Sequence, residues 1–146
     1  SVESVAYHEM GHLFDKLSGD GDKYLSESEG FQNFFFSISG EKNFFYELNE
    51  GNFLEISGGA GHSQDNTREF FTTLLVSLTH PNWEYVVSTN HDENFRKLYF
   101  TSLLELVVLL QNKAKKDSPI LGLINDRLDK LKDLVEKDQE KSFARI

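Results

Sequence analysis

Cysteine is missing from this chain of 146 residues, which excludes disulfides, thiolate metal sites and cysteine nucleophiles. With 2 Pro and 10 Gly there is no collagen-like repeat, and no internal repeat or low-complexity segment interrupts the chain. Positive charge is scarce: 15 Lys and Arg stand against 24 Asp and Glu, a net charge of −9. That balance repels phosphates, and no basic stripe with interleaved aromatics offsets it, so a nucleic-acid partner is not expected. A long apolar run is missing as well. The densest stretch, Leu103 to Leu110, is broken by Glu105 and falls short of the ~18 residues that suggest a membrane span. Neither a signal peptide nor a starting Met is present, so Ser1 is expected to open a cut fragment or a mature form whose localisation signals lie upstream.

What the chain does have is apolar mass. With 13 Phe and 38% hydrophobic residues it can build a core, and its length suits one domain of roughly 100–200 residues. Helical periodicity dominates. Val5, Leu13 and Phe14 recur at helical spacing, which predicts a helix over Val2–Leu17, ended by turn residues Gly19 to Asp22. Ser26-Glu27-Ser28-Glu29 has the make-up of a helix start ahead of Phe31, Phe34 and Phe35. Gly40 stops that helix, and a short one is expected over Glu41–Leu48. Gly51 to Gly61 suggests a loop, with a short strand over Asn52–Ile56. Asp65 or Asn66 is suited to cap an amphipathic helix over Thr67–Thr79, with Pro81 beyond its end. Another short helix is expected around Trp83–Val87.

The last third carries two more apolar stripes. Phe95, Leu98, Tyr99, Leu103, Leu106, Val107 and Leu110 mark a long helix with a charged exit at Lys113–Asp117. Pro119 suits a first helical turn, and Ile120, Ile124, Leu128, Leu131 and Val135 form the stripe of the next helix. The two are expected to pair as a hairpin, with 117–140 a C-terminal helical extension whose stripe reads as a core face, a partner-binding or coiled-coil face being the alternative; the last 25 residues have the make-up to project from the core. The fold class is therefore mainly α with little β, in a single domain over 1–146.

One motif carries chemistry. Tyr7-His8-Glu9-Met10-Gly11-His12 contains His-Glu-x-x-His inside the first helix. Positions i and i+4 of a helix lie one turn apart on one face, so His8 and His12 can direct both imidazoles at one zinc ion. Glu9 lies about 100° round the helix from His8, out of place as a ligand but able to take a proton from water that zinc has acidified. The three fixed positions arise by chance in roughly one chain in sixty of this composition, so the motif needs support from a third ligand. Metzincins place a Gly three residues and a His six residues after the second His. Asp15 and Ser18 stand there instead, which excludes that class. A glutamate from a later helix remains, with Glu69 the best placed. Asp15 is the second choice as ligand, or else a partner that orients His12.

The run Tyr7-His8-Glu9-Met10-Gly11-His12-Leu13-Phe14-Asp15 resembles the active helix of the anthrax lethal factor group of zinc metallopeptidases, to which the clostridial Pro-Pro endopeptidases are related. Asn66-Thr67-Arg68-Glu69-Phe70-Phe71 resembles the downstream helix that carries the group's third ligand. The similarity spans about Val5 to His80 and weakly on to Leu110. It implies a secreted bacterial zinc endopeptidase of zincin-like fold, with a peptide or protein as substrate, His8, His12 and Glu69 as ligands, and Glu9 as base. Three positions depart from the group. His62 stands where a tyrosine is thought to stabilise the oxyanion, and an imidazole N–H can donate the same hydrogen bond. Thr73 replaces a second glutamate. The group's upstream sheet, with the edge strand that holds substrate, is missing, so this chain is expected to be the C-terminal helical half of such a domain.

The remaining candidates are weaker. Asp20-Gly21-Asp22 lacks the Gly and Glu spacing of an EF-hand, and Gly58–Gly61 lacks the Lys-Ser/Thr of a phosphate loop. His80 and His91 have no supporting pattern. Tyr46, Tyr85 and Tyr99 are alternative oxyanion donors that nothing in the sequence separates. A domain that binds zinc without catalysis is the alternative function.

Overall fold

A computed structural model of the chain describes residues 2–49, 62–81, 83, 92–113 and 120–144. The expected Asn52–Ile56 strand, the Gly-rich loop, Tyr85, His91, Pro119 and most of the Lys113–Asp117 exit lie outside these residues. So does the Trp83–Val87 helix beyond Trp83.

The described residues are mainly helical, with no strand among them. The helices are α1 (Val2–Leu17), α2 (Glu29–Ile38), α3 (Lys42–Asn49), α4 (Thr67–Thr79), α5 (Glu93–Lys113) and α6 (Ile120–Ala144), with a 3-10 turn at Leu25–Glu27. Helices α1 and α4 begin and end at the residues expected of them. The Ser26–Glu29 start is split. Ser26 sits in the 3-10 turn, and Ser28 precedes α2 with its hydroxyl bonded to Leu25 O at 2.7 Å.

Helix α4 is the centre of the molecule. It was expected to be amphipathic, yet every residue from Phe70 to Leu78 is buried. A helix that is packed all round must satisfy its own polar side chains. Thr73 and Ser77 do so by donating to the carbonyls of Glu69 and Thr73, both at 2.8 Å. Asn66 caps its start, accepting from Glu69 N at 3.0 Å.

Aromatic packing fixes α4 against its neighbours. The Phe70 ring meets Phe31 and Phe35 of α2 at 5.7 and 5.3 Å and Phe45 of α3 at 5.8 Å between centroids. These are edge-on, tilted and offset-stacked approaches of the kind aromatic quadrupoles favour. Phe44 and Tyr99 continue the cluster through Phe95 of α5.

Helix α6 packs against the core over its described side chains, up to Asp138. Ile124 and Leu131 are fully buried, and Leu128 and Val135 lie against the same core, so the stripe is a core face. Arg127 reaches the C-terminal end of α4, donating to Leu78 O at 2.8 Å, and Arg96 of α5 pairs with Asp138 at 2.6 Å.

Candidate metal centre

The first link between the motif and its distant partner is a close helix crossing. Thr72 of α4 donates its hydroxyl to the carbonyl of His8 at 2.7 Å. A Cβ on Gly11 would lie 1.9 Å from that same Thr72 oxygen. Only glycine leaves room for α4 to approach α1 so closely. Glu69 lies one turn before Thr72 on the same side of α4, so the crossing delivers its carboxylate to the two histidines.

The result is a compact three-residue cluster. Glu69 Oε2 lies 2.9 Å from His8 Nε2, and Oε1 lies 3.0 Å from His12 Nε2. The imidazoles stand edge to face at 4.8 Å between centroids. One ligand atom from each of His8, His12 and Glu69 falls within 4.8 Å of the others, so the group can hold a metal ion. His8 joins Glu69 across 61 positions of sequence.

Burial grades the three ligands. His8 is 5% exposed, His12 22% and Glu69 25% by side chain, so one side of the cluster is sealed and the other opens to solvent. Nδ1 of His8 is buried with no hydrogen-bond partner among the described residues. The donor set is two imidazole nitrogens and one carboxylate, the chemistry of a three-ligand zinc site with a further position open. The residues therefore fit the ion that the motif implies.

Glu9 is exposed and lines an open groove of about 410 Å³ beside the cluster. Helix α1 contributes Glu9, His12, Leu13 and Lys16 to it. Helix α4 contributes Glu69 and Arg68, with Asn66 at its cap and Tyr24 from the turn before α2. The guanidinium of Arg68 lies 3.8 Å from the centre of the Tyr24 ring and donates to Glu27 Oε1 at 3.1 Å. The Tyr24 N–H, followed by Arg68, holds the Glu27 carboxyl below the usual carboxylate value. A cavity of about 430 Å³ at the far end of α1, lined by Ser18, Glu105 and Asn112 among others, contains none of the motif residues.

Asp15 is neither a ligand nor the orienter of His12. It is fully buried, and both its oxygens are taken by Ser26, from the backbone N–H and the hydroxyl, each at 2.7 Å. It ties the end of α1 to the 3-10 turn. Burial pushes its carboxyl above the ordinary value, against the Ser26 bonds that pull it down.

His62 lies apart from the cluster and does not line the groove. Its Nδ1 is 3.2 Å from Asp65, and both side chains are more than half exposed. Asn49 anchors the same turn, accepting from the Ser63 hydroxyl at 2.6 Å. Thr73 turns its hydroxyl back onto the helix rather than toward the ligands. Tyr46 is exposed, whereas Tyr99 is buried in the core beside Ser77, where desolvation raises its phenol strongly.

Sequence reasoning did not single out Lys16, Tyr24 and Arg68 as groove residues. Lys16 follows His12 by one helical turn, a spacing that could have placed it; the position of Tyr24 depends on the tertiary fold. Compared with known families, curated proteins and solved structures, the chain finds no match in any of the three.

Proposed function

We propose that the chain is the helical half of a zincin-like domain and acts as a zinc-dependent endopeptidase of the lethal-factor-like group. The observation that carries this reading is the meeting of His8, His12 and Glu69 at one point, with Glu9 on the adjoining groove. A zinc ion held by these three residues supplies Lewis acidity, polarising a carbonyl and acidifying water.

Glu9 is the general base. It is not spent on the cluster, and it shares the groove wall with His12. Its carboxylate takes a proton from the attacking water as oxygen bonds to the scissile carbon. The same carboxyl then gives that proton to the leaving nitrogen as the carbon–nitrogen bond breaks. His62 enters as the oxyanion donor, a role that requires its side chain to leave Asp65. The resemblance places such an enzyme outside the bacterial cell. The alternative, a zinc-binding domain without turnover, is motivated by the group's substrate-holding sheet and tyrosine, which this chain lacks, and favoured by the exposed position of His62.

Elemental analysis and peptide hydrolysis test the reading together. One zinc per chain is expected in wild type and in Glu9→Gln, with hydrolysis lost in Glu9→Gln. His8→Ala and Glu69→Ala are expected to weaken zinc binding by at least about a hundredfold, since each removes one of three ligands. His62→Ala should keep zinc and lower kcat. Undiminished hydrolysis by Glu9→Gln would sink the mechanism. Zinc without hydrolysis in wild type would support the binding domain instead.

A further inference from the structure

The groove differs in charge from the rest of the molecule. The chain carries −9 overall, yet the groove beside the metal cluster is lined by two cations, Lys16 and Arg68. Glu9, Leu13 and Lys16 follow one another at i, i+4 and i+7 along α1, a continuous edge of the helix. Lys16 stands one turn beyond His12, about 6 Å along the axis.

The anionic side of the groove is already committed. Both oxygens of Glu69 face the ligand histidines, and in the proposed reaction Glu9 acts on water. Asp15, the next acid along α1, is buried and held by Ser26. Lys16 is exposed and makes no ion pair among the described residues. Arg68 has one, to Glu27, but the pair is exposed and of the kind that contributes little. Its stacking on Tyr24 holds the guanidinium plane in place and leaves further N–H groups for a second acceptor. Leu13, 56% exposed, puts an apolar surface between Glu9 and Lys16.

We infer that Lys16 and Arg68 are specificity-determining residues that recognise a carboxylate on the peptide substrate close to the scissile bond, with Leu13 seating an adjacent apolar side chain. The carboxylate belongs either to an acidic side chain or to the free end of the peptide. The inference rests on the metallopeptidase reading and specifies its substrate class. It opposes the selectivity suggested by net charge alone, which would steer basic peptides. Contact distances set recognition in a groove, whereas the overall charge is screened beyond about 8 Å at physiological salt.

Binding to a catalytically silent protein tests this apart from turnover. The probes are fluorescein-labelled leucine–alanine hexapeptides carrying Glu or Gln at each position in turn, with the C-terminus amidated or free. Anisotropy is read with zinc-loaded Glu9→Gln protein, and zinc content is measured on the same sample. At one or two positions the Glu peptide, or the free-acid form, is expected to bind about three- to tenfold tighter than its neutral counterpart. The amidated and free series distinguish a side-chain carboxylate from a terminal one. Lys16→Glu should abolish the preference and Arg68→Gln should reduce it, both with zinc content unchanged. Zinc-loaded protein that binds the Glu and Gln series equally, in both terminal forms, overturns the inference alone. Protein that takes up no zinc overturns the metallopeptidase reading and this inference with it.

Discussion

Asp15 shows how a single acidic residue near a metal motif can serve packing instead. Its carboxylate lies one turn beyond His12, yet both oxygens are taken by Ser26 and the side chain has no exposed surface. Burial favours its neutral form, so the folded-state pKa lies above the ordinary value of 3.8. Such a group contributes stability that is complete below pH 3.8 and is lost as pH rises through the folded pKa. In metal-free protein, urea unfolding of wild type and Asp15→Asn should therefore differ with pH in one direction. The stability of wild type relative to the variant should be greatest near pH 3 and should fall toward neutrality. A difference that is flat, or grows with pH, would mean that Asp15 is charged without cost in the fold.

At the scale of elements, the crossing of α1 and α4 matters more than either helix. The motif histidines would align on any stable helix, but Glu69 joins them because Gly11 admits Thr72. Gly11→Ala is compatible with helix propensity and would favour α1 in isolation. In the folded chain the added methyl meets Thr72 Oγ1 at 1.9 Å, so that Thr72 must turn off the His8 carbonyl or the helices must part. Overpacking of this kind costs about 1–3 kcal/mol. The expected result is lower stability in chemical denaturation together with weaker zinc binding, because Glu69 retreats from both histidines. Gly11→Ala combined with Thr72→Ala removes the clashing oxygen and should recover part of both. A double variant no better than the single one would show that the hydroxyl is not the obstacle.

At the scale of the whole molecule, an ion held at this cluster would join distant parts of the chain. Its ligands come from the first helix and the central one, and α4 is itself held by the Phe70 cluster and by Arg127 from α6. An ion that binds only the folded state stabilises all of these contacts through linkage. Free zinc at about a thousand times its Kd should add about 4 kcal/mol, on the order of 10 °C in Tm for a domain of this size. Scanning calorimetry before and after chelation reads that shift, and Glu69→Ala should abolish it. A Tm indifferent to zinc in wild type would mean that the three side chains do not close on an ion.

Local patterning accounts for most helix extents and for the half of the site that lies on one helix. The extents of α1 and α4 follow from apolar spacing, a cap at Asn66 and turn residues, all of which act over a few positions. His8, Glu9 and His12 are likewise legible because helix geometry fixes their directions without help from the rest of the chain. Other features emerge when the helices pack together. Ser26 was suited to starting a helix and instead holds Asp15. The apolar stripe of α6 was legible as a core face from its spacing, but the neighbours it packs against were not. The alternation in α4 suggested one wet face, and packing buried the whole run from Phe70 to Leu78. Glu69, Lys16, Tyr24 and Arg68 come to one groove through contacts between residues far apart in sequence. Such contacts depend on which small residue permits a close crossing and which ring fills the space behind it, and no local periodicity encodes either.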